Sequence, residues 1–238
     1  MSACWYDHVL FALLAIVIPL MSLQSRIYQD TNDIEFDLPP KKHVYLNNFF
    51  ILCIGMLLCL TAWHAGNNDW TLFGFQKMEY SRAAVIAAII LTFLYVADGV
   101  ISYFRVRENS DYFRQMKEII PLNWREFISF IPLAFMAGIS EEIIYRAYIY
   151  QYLLTYFASF SAGPYLAIFI ASLGFSLGHL YQGWYAIIKI YIISILFGVI
   201  YLETKSLVGV IFIHILIDLI SGMSGIWLNR KTEVGTSE

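Results

Sequence analysis

The sequence predicts an all-α protein that crosses the bilayer about seven or eight times. Hydrophobic residues make up 59% of its 238 residues, charged residues make up only 14%, and the mean hydropathy is +0.64. Soluble domains are about half apolar and about a quarter charged. Several apolar segments also reach the roughly 20 residues that a membrane-spanning helix needs. We therefore expect residues 1–238 to form a single integral membrane domain, a polytopic transmembrane helix bundle.

Seven apolar segments are long enough to cross the membrane. They are residues 5–23, 47–65, 83–104, 127–158, 163–181, 184–203 and 206–228. The first lacks the basic start and small-residue cleavage site of a signal peptide, so we interpret it as a retained span. The fourth has room for an extra turn or a kink near Pro132. The connector 105–126 mixes charged, aromatic and isoleucine residues, which is typical of an amphipathic surface helix or a short eighth span.

The distribution of Lys and Arg predicts the orientation of the chain in the membrane. One side has ten of these residues and the other has three. The ten are Arg26, Lys41, Lys42, Arg105, Arg107, Arg114, Lys117, Arg125, Arg230 and Lys231, and the three are Lys77, Arg82 and Lys205. Because cytoplasmic loops are enriched in Lys and Arg, we expect a cytoplasmic carboxyl terminus and an amino terminus outside.

Charge and cysteine content exclude two other classes of function. The formal net charge is −3 and the isoelectric point is about 5.9, so the basic surface of a nucleic-acid-binding protein is missing. Cys4, Cys53 and Cys59 lack the spacing of a metal site, and we interpret them as small apolar residues.

The fourth segment contains three charges within the stretch "GISEEIIYRAYIY". Isolated charges at a helix centre would together cost roughly 8–10 kcal/mol to insert. Glu142 and Arg146 are four residues apart and can pair on one helix face. Glu141 points about 100° away from Glu142, so it needs a partner from another helix.

Later segments provide candidate partners for Glu141. "FSLGHL" places Phe175 and His179 one turn apart, and "HILID" places His214 and Asp218 one turn apart. Ionisable residues inside membrane segments are candidates for a functional site. Asp98 is another such charge, which we assign to fold stability or pore hydration.

The three motifs together resemble those of a protease family. "EEIIYR", "FSLGH" and "HILID" occur in this order over residues 141–218. The pattern is similar to the EExxxR, FxxxH and HxxxN/D signatures of the intramembrane glutamic endopeptidases in the CAAX protease and bacteriocin-processing (CPBP) family. The signatures lie in a core of about residues 127–228.

The resemblance implies a role for each matching residue. Glu141 would activate the attacking water with the help of His179, and His214 and Asp218 would stabilise the oxyanion. Glu142 and Arg146 would support the site, and Phe175 would shape its pocket. Many members have Asn where this chain has Asp218. Since an ionised carboxylate cannot donate a hydrogen bond, Asp218 must be protonated, orient His214 or contact a metal.

The residue types alone are sufficient for peptide hydrolysis by an activated water. A carboxylate and an imidazole can position and deprotonate water, and a second histidine with a hydrogen-bonding neighbour can hold the oxyanion. Neither GxSxG nor HExxH occurs in the sequence. We expect no cofactor, and the partners to be the lipid bilayer and a membrane-associated peptide or protein substrate.

Two alternatives remain open at this stage. The first is a metal-dependent membrane protease with zinc bound by the same four residues, Glu141, His179, His214 and Asp218. The second is a non-catalytic scaffold, immunity protein or transporter with the same polar interior. The short chain favours a bacterial plasma membrane over the endoplasmic reticulum.

Overall fold

The computed structural model describes residues 3–32, 39–108, 117 and 119–235, and within these ranges the chain is helical and contains no β-strand. This confirms the predicted all-α class. Most of the predicted surface helix at 105–126 lies outside the described residues, so that prediction stays open.

Seven long helices follow one another along the described chain. They are α1 (Trp5–Ala12 and Ile18–Asn32, joined by the π-helical segment Leu13–Val17), α2 (Lys41–Ala65), α3 (Arg82–Glu108), α4 (Trp124–Glu142 and Tyr150–Phe157, joined by the π-helical segment Ile143–Ile149), α5 (Gly163–Gly178), α6 (Trp184–Thr204) and α7 (Leu207–Gly235). Each overlaps one of the seven predicted segments. Pro132 lies inside α4 without ending it.

Six of the seven helices are long and apolar enough to cross a bilayer. The exception is α5, which has 16 residues and therefore a length of about 24 Å, against about 30 Å for the hydrocarbon core. The prediction of a helix over 163–181 was too long, because α5 ends at Gly178 and the chain continues as the 3₁₀ turn Leu180–Gln182. This early end leaves His179 at the terminus of the helix.

Helix α4 is at the centre of the fold. It packs against α2, α5 and α7, while α6 packs against α3 and α5, and α1 packs against α5. All seven residues of the π-helical segment Ile143–Ile149 are buried. A helix that is apolar on all sides is expected to lie in the middle of a bundle. The charged motif of α4 is therefore inside the protein and does not face lipid.

Polar contacts join the helices to one another. Lys189 of α6 donates to Asp98 of α3 with 2.9 Å between Nζ and Oδ2, which supports the assignment of Asp98 to fold stability. The buried Asp7 of α1 accepts a short hydrogen bond from Tyr148 of α4. A buried polar group with a partner avoids the desolvation cost that an unpaired one would incur.

Candidate active site

Four predicted site residues from three helices lie next to one another. Glu141 of α4 has one carboxylate oxygen, Oε1, 4.0 Å from Nε2 of His179 at the end of α5. Its other oxygen, Oε2, lies 3.6 Å from Nε2 of His214 on α7. That same Nε2 atom lies 3.8 Å from Oδ2 of Asp218, one turn further along α7. The fold thus brings the three sequence motifs together.

The early end of α5 fixes the orientation of the His179 ring. Nδ1 of His179 lies 2.9 Å from the main-chain carbonyl oxygen of Phe175. A carbonyl oxygen can only accept, so Nδ1 must be the donor. In the neutral ring, Nε2 then has a free lone pair and faces Glu141. The ring of Phe175 packs beside His179 with 4.7 Å between ring centroids.

A second carboxylate fixes the orientation of His214. Nδ1 of His214 lies 2.6 Å from Oε1 of Glu142, a short hydrogen bond in which the ring N–H donates to the carboxylate. The two consecutive glutamates therefore contact the two nitrogens of one imidazole. Glu142 holds the ring, and Glu141 faces the nitrogen that points into the site.

Glu142 is held in turn by the buried Arg146. Nη1 of Arg146 lies 3.0 Å from Oε1 of Glu142, as predicted from their spacing, but without the alignment of a hydrogen bond. Nη2 donates to Oγ of Ser194 on α6 at 3.0 Å. The guanidinium also lies over the rings of Phe175 and Phe197, at 4.8 and 5.4 Å from their centroids. Cation–π contacts of this kind strengthen when the cation is removed from water.

The carboxylate side chains of the site differ in their exposure to solvent. The side chain of Asp218 is 27% exposed, that of Glu141 is 13% exposed, and that of Glu142 is fully buried. Glu141, His179 and Asp218 can therefore meet a substrate or water. Glu142 and Arg146 are too deeply buried to contact it directly.

The backbones of α4 and α7 approach each other closely beside these residues. A Cβ atom on Gly138 would lie 2.5 Å from Cγ1 and 3.1 Å from the main-chain nitrogen of Ile215. Only glycine allows this approach without displacement of one helix. Gly138 precedes Glu141 by three residues, and Ile215 follows His214, so this contact sets the spacing between the carboxylate and the imidazole.

The arrangement of these donors does not form a metal centre in the described residues. No group of three or more His, Cys, Asp and Glu side chains within those ranges is placed to hold a metal ion. The zinc alternative stays a prediction, and chelation of the active protein tests it.

Three residues that contact the predicted ones escaped the sequence analysis. Ser194 and Phe197 contact Arg146, and Lys189 pairs with Asp98. Lys189 and Ser194 had a visible signal, since each is a polar residue in an otherwise apolar segment. Phe197 had none, because one aromatic residue in a membrane helix is unremarkable.

Comparison with known families agrees with the motifs. Residues 123–220 match a family model described as Type II CAAX prenyl endopeptidase Rce1-like, and this family is the CPBP family. Residues 123–220 belong to the CPBP family. This CPBP region begins at the start of α4 and ends within α7, so it includes all three motifs. Searches of curated proteins and of solved structures found no match.

Two properties of the protein follow from the match of residues 123–220 to the CPBP family. The family implies a protease, that is, a hydrolase of peptide bonds. The six helices that can span a bilayer and the family together indicate a multi-pass membrane protein. Helices α1 to α3 lie outside the matched residues and pack around the CPBP region.

Proposed function

We propose that this protein is an intramembrane glutamic endopeptidase that hydrolyses a peptide bond of a membrane-associated protein or peptide. In this mechanism, water is the nucleophile and Glu141 is its general base. The observation that supports it best is the position of Glu141 between two imidazoles contributed by different helices.

The distances in the site suit a bound water. Oε1 of Glu141 and Nε2 of His179 are 4.0 Å apart, which is too far for a direct hydrogen bond and close enough for one water to bridge them. Glu141 would accept a proton from this water as the water attacks the substrate carbonyl carbon. The lone pair on Nε2 of His179 would accept a hydrogen bond from the same water and so orient it.

His214 and Asp218 form the opposite side of the proposed site. Glu142 accepts from Nδ1 of His214, so Nε2 donates to an oxyanion when the imidazole is positively charged. Two carboxylates within 4 Å of the ring, those of Glu141 and Glu142, favour that charge. Glu141 would return its proton to the leaving amine when the peptide bond breaks.

The family description supports the proposed substrate class. It names a CAAX prenyl endopeptidase, that is, an enzyme that acts on prenylated CAAX proteins. We propose a membrane-associated peptide or protein as the substrate and a bacterial plasma membrane as the location.

The test is cleavage by the purified Glu141→Gln variant of a farnesylated CAAX peptide and of candidate membrane proteins. Those candidates are proteins that accumulate uncleaved in a strain with only this variant. We expect a loss of rate of about 10² to 10⁴-fold, since Gln keeps the shape of Glu but cannot accept the proton. Glu79→Gln is the matched control, because Glu79 is 56% exposed and pairs with Lys205 far from the motifs. Undiminished cleavage by Glu141→Gln at normal abundance would refute the proposal.

Two further measurements separate the alternatives. The metal-dependent mechanism would replace the glutamic one if chelation abolished cleavage and added zinc restored it. The active protein would then also contain one equivalent of zinc. Absence of cleavage by the wild-type protein, together with solute uptake by protein-containing vesicles, would favour a transporter.

A further inference from the structure

A cleft of about 340 Å³ lies at the amino-terminal ends of α2 and α4, away from the motif residues. It is lined by Pro40, Lys41, Lys42, Arg125, Glu126 and Ser129. Its volume is within the range of sites that bind small molecules or lipid headgroups. The proposed protease function uses none of these residues.

The walls of the cleft are held in place by polar contacts. Nζ of Lys41 donates to Oε2 of Glu126 at 2.9 Å and to the carbonyl oxygen of Ile120 at 2.8 Å. Glu126 also accepts from the main-chain nitrogen of Leu122 at 2.9 Å. Glu126 is thus neutralised by Lys41, and both side chains are committed to joining α2 to α4.

Two positive charges remain at the mouth of the cleft. Lys42 and Arg125 are exposed, and neither has an ion-pair partner in the part of the chain that the structure describes. The amino terminus of α2 adds to the positive electrostatic potential at the cleft, because Pro40 provides no side-chain cap for the first N–H groups of the helix. The cleft therefore favours a ligand with negative charge.

The position of the cleft indicates where that charge comes from. The spans Lys41–Ala65 and Trp124–Phe157 both begin at the cleft, so it lies at the boundary between hydrocarbon and water. Trp124 beside it is 51% exposed, as is typical of a residue at the headgroup level. A ligand in the cleft is next to the lipid headgroups.

We propose that this cleft binds the phosphate headgroup of an anionic phospholipid, with Lys42 and Arg125 as the charged contacts. Each Lys or Arg near an anionic bilayer strengthens attraction by a similar amount, and loss of both is expected to weaken binding about thirtyfold. The site is independent of the proposed protease function.

The experiment measures binding of phosphatidylglycerol and of phosphatidylcholine to the purified full-length protein by native mass spectrometry. The test variant is Lys42→Gln/Arg125→Gln, and the charge-conserving variant is Lys42→Arg/Arg125→Lys. The matched control is Lys77→Gln/Arg82→Gln, because Lys77 and Arg82 are also exposed. Lys77 lies in the connector between α2 and α3, and Arg82 is the first residue of α3, so both are at the opposite ends of the helices. All four substituted side chains are exposed, and thermal unfolding checks that each variant is folded.

We expect phosphatidylglycerol to bind the wild type more tightly than phosphatidylcholine, the test variant to lose about thirtyfold, and the other two variants to change by less than about threefold. Equal losses in the test and control variants would show a non-specific charge effect and overturn the site. Unchanged binding in the test variant would also overturn the proposed site. Displacement of the lipid by equimolar glycerol phosphate would overturn the lipid source, because the cleft would then be a site for soluble phosphates.

Discussion

The distances in the site reduce the number of roles that Asp218 can have. Its Oδ2 atom lies 3.8 Å from Nε2 of His214, too far for the direct hydrogen bond by which it would orient that ring. Glu142 already has this function through Nδ1. Of the roles open to Asp218 in the sequence, contact with the oxyanion as a protonated acid therefore fits the described residues best.

Replacement of Asp218 by Asn tests whether this residue acts as a hydrogen-bond donor to the oxyanion. Asn has the same shape and always has donor N–H groups, so we expect cleavage within a few-fold of the wild type or faster at neutral pH. Asp218→Ala removes the donor and is expected to lower kcat by about 10² to 10³-fold. Steady-state cleavage of the same substrate by the three proteins provides the comparison. If Asn were as damaging as Ala, the carboxylate itself would be required and the oxyanion role of Asp218 would be wrong.

Sequence spacing predicted the residues of the site better than their contacts. Glu141, His179, His214 and Asp218 were all selected from motifs, and the fold brings them together. The contact of Glu142 with His214 was missed, because adjacent residues on a helix point about 100° apart. A flat imidazole that faces the helix can still contact both, since its two nitrogens lie on different edges of the ring.

At the scale of elements, the close approach of α4 and α7 at Gly138 determines whether the site assembles. Ile215 occupies the space that a side chain at Gly138 would need. An added methyl group must move α7 or turn the Ile215 side chain, and the 3.1 Å contact to a main-chain nitrogen cannot be relieved by rotation of a side chain. His214, next in the chain, would move with α7.

Gly138→Ala is therefore expected to lower the rate of cleavage by tenfold or more, since displacement of reacting groups by about 1 Å can cost 10²-fold. Gly99→Ala is the matched control, because a Cβ atom at Gly99 has no neighbour within 4 Å. That variant is expected to keep its activity and to be slightly more stable, as Ala favours helix over Gly by about 1 kcal/mol. Cleavage rates and thermal unfolding of both variants test this. Full activity in Gly138→Ala would show that the spacing of α4 and α7 is not limiting.

The helices themselves were predictable, and their irregularities were not. Apolar length located all seven, because each segment must satisfy its backbone polar groups internally in lipid. The π-helical segment Ile143–Ile149 has no signal in its composition. Such segments are set by packing in the finished bundle and occur often at functional sites. The early end of α5 was also missed, because "GHLYQG" continues an apolar run without a proline.

At the scale of the whole molecule, the orientation in the membrane depends on whether α5 crosses. If all seven helices cross, the termini lie on opposite sides. The ten Lys and Arg residues at one side then predict a cytoplasmic carboxyl terminus. If α5 stays inside the bundle without crossing, α6 and α7 are reversed and the carboxyl terminus lies outside. Its length of about 24 Å makes α5 the helix on which the topology depends.

Fusions to alkaline phosphatase, which is active only outside the cytoplasm, separate these two arrangements. We expect activity for a fusion after Gln76, in the connector between α2 and α3, and none for a fusion after Arg230, at the end of the span Leu207–Arg230. A fluorescent protein that folds only in the cytoplasm should give the opposite result at both positions. Phosphatase activity at both positions would show that α5 does not cross. Because the proposed lipid cleft is formed at the starts of α2 and α4, before α5, both arrangements place it on the side that the Lys and Arg distribution predicts to be cytoplasmic.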